Sequence, residues 1–163
     1  MWTAANPLLR KERNRTMFKR ILIPTDGSPI ARNGIKAGVA LAKALGASVV
    51  GYYAVEPIER IYYSVGESAR LGNVKAIEKH LRDQGTQYLE QIRKAATAAG
   101  VASEVVMTSA LDPFRGIVDA ARKERCDIIC MASHGRGQLA SVLLGNVTQK
   151  VLATSKIPVL VCR

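Results

Sequence analysis

Apolar runs too short to be helices alternate along this chain with segments that open on helix-capping residues, and that alternation constrains the fold more than any other feature. Phe18 to Pro24 (FKRILIP) reads as a strand. Ser28-Pro29 then supplies an N-cap and a proline at the first helical position, where the missing N–H costs nothing. Ile35, Val39, Ala42 and Leu45 recur at helical spacing, and Gly46 ends the helix. Ala47 to Val55 is apolar almost throughout, as a strand covered on both faces must be. The device then repeats. Ala102 to Thr108 is the third expected strand, Asp112-Pro113 opens a helix to about Glu124, and Cys126 to Ala132 (CDIICMA) is the fourth strand. A helix over about Val147 to Ser155 precedes a fifth strand, Ile157 to Cys162 (IPVLVC). Between strands two and three, Asn73 is expected to cap a long helix that ends before Gly100. Residues 56–72 lack a clean period and read as an exposed connection.

Strands alternating with helices imply βαβ units, right-handed crossovers and a parallel sheet. The expected fold is α/β, a doubly wound five-stranded parallel sheet with helices on both faces. At 163 residues the chain has the length of one domain, expected over residues 17–163. Residues 1–16 follow neither period and are expected to form a disordered leader. No apolar run reaches the roughly 18 residues of a membrane span, so no membrane partner is expected. Cys126, Cys130 and Cys162 form an odd set without C-x-x-C spacing, which argues against a disulfide framework and for a reducing cytoplasm. No His or Cys completes a metal-ligand set around them, and no protein-held metal is expected. The net charge of +11 would suit a polyanion, but the basic residues spread over outer helix faces. No motif with interleaved aromatics accompanies them, so nucleic acid is not the expected partner.

Ligands of doubly wound sheets bind beyond the carboxyl ends of the strands, where the strand order reverses. Two loops fall there, one at Asp26 and one from Ser133 to Gly145. The second reads Ala132-Ser133-His134-Gly135-Arg136-Gly137 and resumes, seven residues later, with Gly145-Asn146-Val147-Thr148-Gln149. Gly135 and Gly137 let the backbone approach a ligand closely. Asn146 is expected as N-cap, with Gln149 placed as in a capping box. The helix so opened would aim free N–H groups and its positive dipole end at the loop, while Arg136 and Lys150 add charge; in physical terms this is a phosphate cradle. Asp26 either accepts hydrogen bonds from ribose hydroxyls or organises the Asp26-Gly27-Ser28 turn. Pro24 and Thr25 either line an adenine pocket or end the strand. His134 reads as a residue that holds the loop, not as a catalytic base. Tyr52 and Tyr53 read as core and rim, and Tyr62 and Tyr63 as candidates for a lid.

The fragments ILIPTDGSP, DIICMASHGRGQ and LLGNVTQKVLATSKIPVLVCR, in this order, resemble the universal stress protein family from Met17 to Arg163. The resemblance implies an adenine nucleotide α-hydrolase-like sheet of strand order 3-2-1-4-5 and an ATP site. ATP-binding members resemble the pattern Gly-x2-Gly-x9-Gly-Ser/Thr. Here Gly135 and Gly145 keep that spacing, while Ala132 replaces the first glycine and Asn146 the hydroxyl residue. Carried over residue by residue, the resemblance implies Asp26 at the ribose and Pro24, Thr25 and Ala54 near the base. It further implies Met131, Ala132, Ser133, His134, Gly135 and Arg136, with Gly145, Asn146, Val147 and Thr148, around the phosphates and adjacent sugar. Mg²⁺ would be carried by the phosphate oxygens, and the last strand, Ile157 to Val161, would pair with its copy in a homodimer. The implied role is a nucleotide-dependent stress or signalling module. A Walker loop and a water-positioning carboxylate are both missing from the sequence, which leaves at most slow ATP hydrolysis and no assigned catalytic residue. A nucleotide-independent dimer acting through protein contacts is the alternative, and Ala132 favours it. A response-regulator receiver is excluded, since strand three ends in Met107-Thr108-Ser109 without a phosphoacceptor aspartate.

Overall fold

The computed structural model describes residues 17–60, 71–134 and 144–163. Strand β1 (Arg20–Pro24) is followed by α1 (Ala31–Leu45), β2 (Ser48–Val55), α2 (Leu71–Ala99) and β3 (Ser103–Ser109). Then come α3 (Pro113–Lys123), β4 (Ile128–Ala132), α4 (Asn146–Thr154) and β5 (Val159–Cys162). All strand pairs are parallel, and the sheet order is β3-β2-β1-β4-β5, as the resemblance implied. Successive crossovers move outward from β1 to β3 and then return to its other side, so the order reverses between β1 and β4.

Side chains along β1 sort by the two-residue period of a strand. Ile21 and Ile23 enter a core beneath α1 and α2, with Val39, Val49, Ile92 and Cys130. Leu22 enters the opposite core beneath α3 and α4, with Val50, Tyr52, Ile117, Ile129 and Val151. Ile21, Leu22 and Ile23 are all fully buried, each worth about 1.5–3 kcal/mol by area. Tyr52 and Tyr53 both lie in the core, one on each side of the sheet, so Tyr53 is not a rim residue. Burial raises the Tyr52 phenol above its usual range, and its oxygen shares a hydrogen bond of 2.7 Å with Thr108 Oγ1.

Several element boundaries differ from the expectation, each for a local reason. Ser28 Oγ accepts the Ala31 N–H at 3.1 Å, but Pro29 and Ile30 form a turn and the regular helix starts at Ala31. β1 and β4 begin at Arg20 and Ile128 because the Asp127 carboxylate takes the Lys19 and Arg20 N–H groups, at 2.8 and 3.1 Å. The described part of α2 already includes Leu71, so Asn73 lies inside the helix and does not cap it. Asp112 and Pro113 occupy the N-cap and first helical position of α3, yet the Asp112 carboxylate makes no cap bond and pairs with Arg115 Nε at 3.3 Å. At the start of the connection after β2, Pro57 is buried and Arg60 pairs with Glu56 at 3.1 Å. Tyr62 and Tyr63 lie outside the described residues, as does the leader 1–16.

Candidate functional site

Where the strand order reverses, a cleft of about 310 Å³ opens at the carboxyl ends of β1 and β4. β1 contributes Pro24, Thr25 and Asp26, and β4 contributes Met131, Ala132 and, just beyond it, His134. The start of α4 contributes Gly145, Asn146, Val147 and Thr148. Ten of the expected site residues therefore border one cavity. Ala31, Pro113 and Ile117 border it too and were not anticipated. The repeated cap-and-proline turn at Asp112-Pro113, itself beyond a strand's carboxyl end, was the available signal for α3.

The expected residues divide by what their polar groups already hold. Asp26 Oδ1 accepts the Ser28 N–H at 2.9 Å, so the turn role is real, and the residue still borders the cleft. Thr25 Oγ1 accepts the Gly27 N–H at 3.1 Å, and the Thr25 N–H reaches the Tyr52 carbonyl at 2.9 Å. The Thr148 hydroxyl is buried and donates to the Ala132 carbonyl at 3.1 Å, tying α4 to the end of β4. Ser133 lies behind the cleft wall. Its N–H donates to the Cys162 carbonyl at 2.7 Å, its carbonyl accepts the Gly145 N–H at 2.8 Å, and its Oγ lies 2.9 Å from His134 Nδ1. Ala54, on β2, packs against the core under α3 and does not border the cleft. Gly135 and Arg136 lie outside the described residues.

The entry to α4 also differs from expectation by one position. Gly145, at φ −67° and ψ 151°, is the N-cap, and its carbonyl accepts the Gln149 N–H at 2.9 Å. Asn146 is the first helical residue, and the Gln149 side chain donates to the Leu144 carbonyl at 2.8 Å and forms no capping box. Lys150 Nζ sits 5.3 Å from the Phe114 ring centroid on α3, turned to that helix and not to the loop. At the other wall, α1 runs so close to β4 that a Cβ on Gly34 would stand 2.8 Å from the Ala132 nitrogen.

The cleft thus has three chemically distinct walls. The first turn of α4 presents N–H groups that have no intrahelical partner, together with the positive end of the helix dipole. Asp26 presents a carboxylate. Pro24, Ile117 and Met131 add apolar lining. Such an arrangement suits a ligand with an anionic end, hydroxyl groups and a flat apolar body. Among the described residues no group of three or more His, Cys, Asp or Glu side chains is placed to hold a metal ion.

The universal stress protein family profile matches residues 17–163. The chain belongs to the universal stress protein family. Universal stress protein MJ0531 of Methanocaldococcus jannaschii is 32% identical over 158 residues, covering 97% of this chain and 88% of its own. The solved structure of MJ0577 from the same organism superposes with a TM-score of 0.73 at 31% identity, covering 90% of this chain and 96% of that one. Two further solved universal stress proteins share the fold and were determined with nucleotides. One is a complex with cAMP (21% identity, TM-score 0.62, 90% and 97% covered). The other is an Archaeoglobus fulgidus protein with dAMP (16%, 0.60, 90% and 99%). No described helix of this universal stress protein is long and apolar enough to cross a membrane.

Proposed function

We propose that this universal stress protein binds ATP in the cleft between β1, β4 and α4, and serves in the cytoplasm as a nucleotide-dependent stress or signalling module that turns ATP over slowly or not at all. The observation that carries this reading is that the α4 N-terminus, Asp26 and the apolar side chains of Pro24, Ile117 and Met131 line one cleft, at the point where the sheet reverses its order. Relatives of the same fold solved with cAMP and dAMP support the adenine nucleotide as ligand class. The cavity's 310 Å³ is within the range of small-molecule sites.

In this reading the base lies against Pro24, Met131 and Ile117, the ribose meets Asp26, and the phosphates meet the α4 N–H groups and the Gly135-Arg136 loop. Bound ATP brings Mg²⁺ with its phosphate oxygens. Weak catalysis follows from the hydroxyls at hand. Ser133 stands behind the wall, and Thr148 spends its proton on a backbone carbonyl. The Ala132 methyl narrows the cleft where the family pattern has glycine. β5 forms the open edge of the sheet, with Leu160 exposed, and we assign residues Ile157 to Val161 to homodimer pairing. That edge exists whether or not nucleotide binds, which is what favours the second reading, a dimer working through protein contacts alone.

Calorimetric titration of nucleotide-stripped protein with ATP and Mg²⁺ tests the proposal. One saturable site per chain is expected. Val147→Glu should abolish it while leaving the melting temperature unchanged or higher, because a carboxylate in a helix's first turn opposes phosphates yet suits the dipole. Absence of heat in the parent protein, with no ATP-dependent rise in melting temperature, overturns the nucleotide reading and leaves the dimer module.

A further inference from the structure

Cys130 and Cys162 stand on the neighbouring strands β4 and β5, whose register sets Cys130 beside Leu160 and Ala132 beside Cys162. The two cysteines are thus offset by two residues on one face of the sheet, and their sulfurs meet diagonally at 3.7 Å. Cys130 is fully buried beneath α1, with its Sγ 3.8 Å from the Gly34 carbonyl oxygen. Cys162 is only partly buried, and Cys126 lies in the core on the other side of the sheet.

We propose that hydroperoxides oxidise this pair to an intramolecular Cys130–Cys162 disulfide, and that closing it breaks the hydrogen bond between Cys162 and Ser133 at the cleft wall. Cys162 is the less buried of the two, and its sulfur attacks one peroxide oxygen. The O–O bond breaks, an alcohol leaves with the thiol's proton, and Cys162 becomes a sulfenic acid. The Cys130 sulfur then attacks Cys162 Sγ. The S–S bond forms, the S–O bond breaks, and the hydroxyl departs with the Cys130 proton as water. Two thiols and one hydroperoxide give one disulfide, one alcohol and one water, and the two electrons lost by sulfur reduce the peroxide. Burial pushes the Cys130 thiol up to about 12, so Cys130 keeps its proton and is not the thiol that meets the peroxide first.

Offset residues on paired strands lie farther apart than directly opposed ones. Closing the 3.7 Å gap to a disulfide's roughly 2.05 Å therefore slides the end of β5 back along β4 toward Cys130, away from Ser133. The movement carries the Cys162 carbonyl, which accepts the Ser133 N–H at 2.7 Å, and Ser133 in turn holds Gly145 at the head of α4.

The test treats the full chain with hydrogen peroxide and follows intact mass, peptide mapping and amide exchange, none of which depends on nucleotide binding. The mass should fall by two hydrogens, with Cys130 and Cys162 cross-linked and Cys126 the one thiol left for alkylation. Dithiothreitol should restore all three thiols, and the Ser133 amide should exchange faster in the oxidised protein. Cys162→Ser should show neither change, and Cys130→Ala should accumulate a Cys162 sulfenic acid that dimedone traps. If Cys130→Ala fails to fold, the peptide map of the parent chain decides. A Cys162 sulfinic acid beside an intact Cys130 thiol, a disulfide between two chains, or unchanged Ser133 exchange in the cross-linked protein overturns the proposal.

Discussion

Gly27 and Gly46 both sit at positive φ, 76° and 64°, yet they answer to different constraints. Gly46 ends α1 in open space, where an added Cβ meets nothing within 4 Å. A Cβ on Gly27 would overlap the Tyr88 ring at Cε1, so the turn below Asp26 closes directly on an aromatic ring. Gly46→Ala should cost about 1–2 kcal/mol, the strain of the left-handed region alone. Gly27→Ala should cost about 2–5 kcal/mol, since overpacking adds to that strain. Urea unfolding of the two variants checks the difference, and equal losses would mean that Tyr88 moves aside freely. Thr148 offers a second test at this scale. Thr148→Val keeps the shape but removes the donor to the Ala132 carbonyl, and stability should fall by about 1–2 kcal/mol. A neutral result would show that the bond is replaced.

At the scale of elements, Arg20 ties three of them together at the amino end of the sheet. From β1 it reaches past β2 to Glu104 on β3, Nη2 to Oε2 2.8 Å, and stands 3.6 Å from Glu124 at the end of α3. The Arg20 hydrogen bond, and then its charge, hold the Glu104 carboxyl below the usual glutamate range. A pKa lowered by folding contributes stability above the unfolded-state value and loses it as pH falls through the folded one. The stability gap between the parent chain and Glu104→Gln should thus be steady near neutral pH and shrink below about pH 4. It should be small and salt-sensitive, because the pair is exposed. Denaturant melts at a series of pH values would show it, and a gap that widens in acid would refute it.

The elements also show what a sequence can disclose. β1, β2, β4 and β5 were legible because a two-faced parallel sheet demands largely apolar runs, while β3, at the edge with Glu104 exposed, was legible from Val105, Val106 and Met107 alone. The start of α4 was off by one because Gly145, not Asn146, has the extended backbone that an N-cap needs, and side-chain capping preference says nothing of that. Asp26 and the loop from Ser133 to Gly145 were readable from the switch-point rule, although Ser133 does not border the cleft, whereas Met131, Val147 and Thr148 came only with the family resemblance. Ala31 and Ile117 were not readable. They reach the cleft from helix faces, and only the packed angles of α1 and α3 decide which residue of a face borders a cavity. Ala54 was assigned to the base by resemblance but sits one strand farther from the reversal than the cleft.

For the whole molecule, a net charge of +11 opposes compaction. Raising salt from about 20 to about 200 mM shortens the screening length severalfold, so the melting temperature should rise over that range. A fall would mean that specific ion pairs outweigh the general repulsion. The parallel sheet carries a second consequence. β1 pairs with β4 on one edge, and the Lys19 and Arg20 amides bond to an aspartate more than a hundred positions onward. Synthesis delivers the chain amino end first. β1, β2 and β3 therefore emerge as a three-stranded ribbon whose β1 edge, bearing Ile21 and Leu22, waits unpaired until residue 129 has left the ribosome. During that interval the nascent protein is a partner for chaperones or for neighbouring nascent chains. A pause while residues 110–128 are emerging prolongs the interval and leaves the β1 side of the cleft facing the cell.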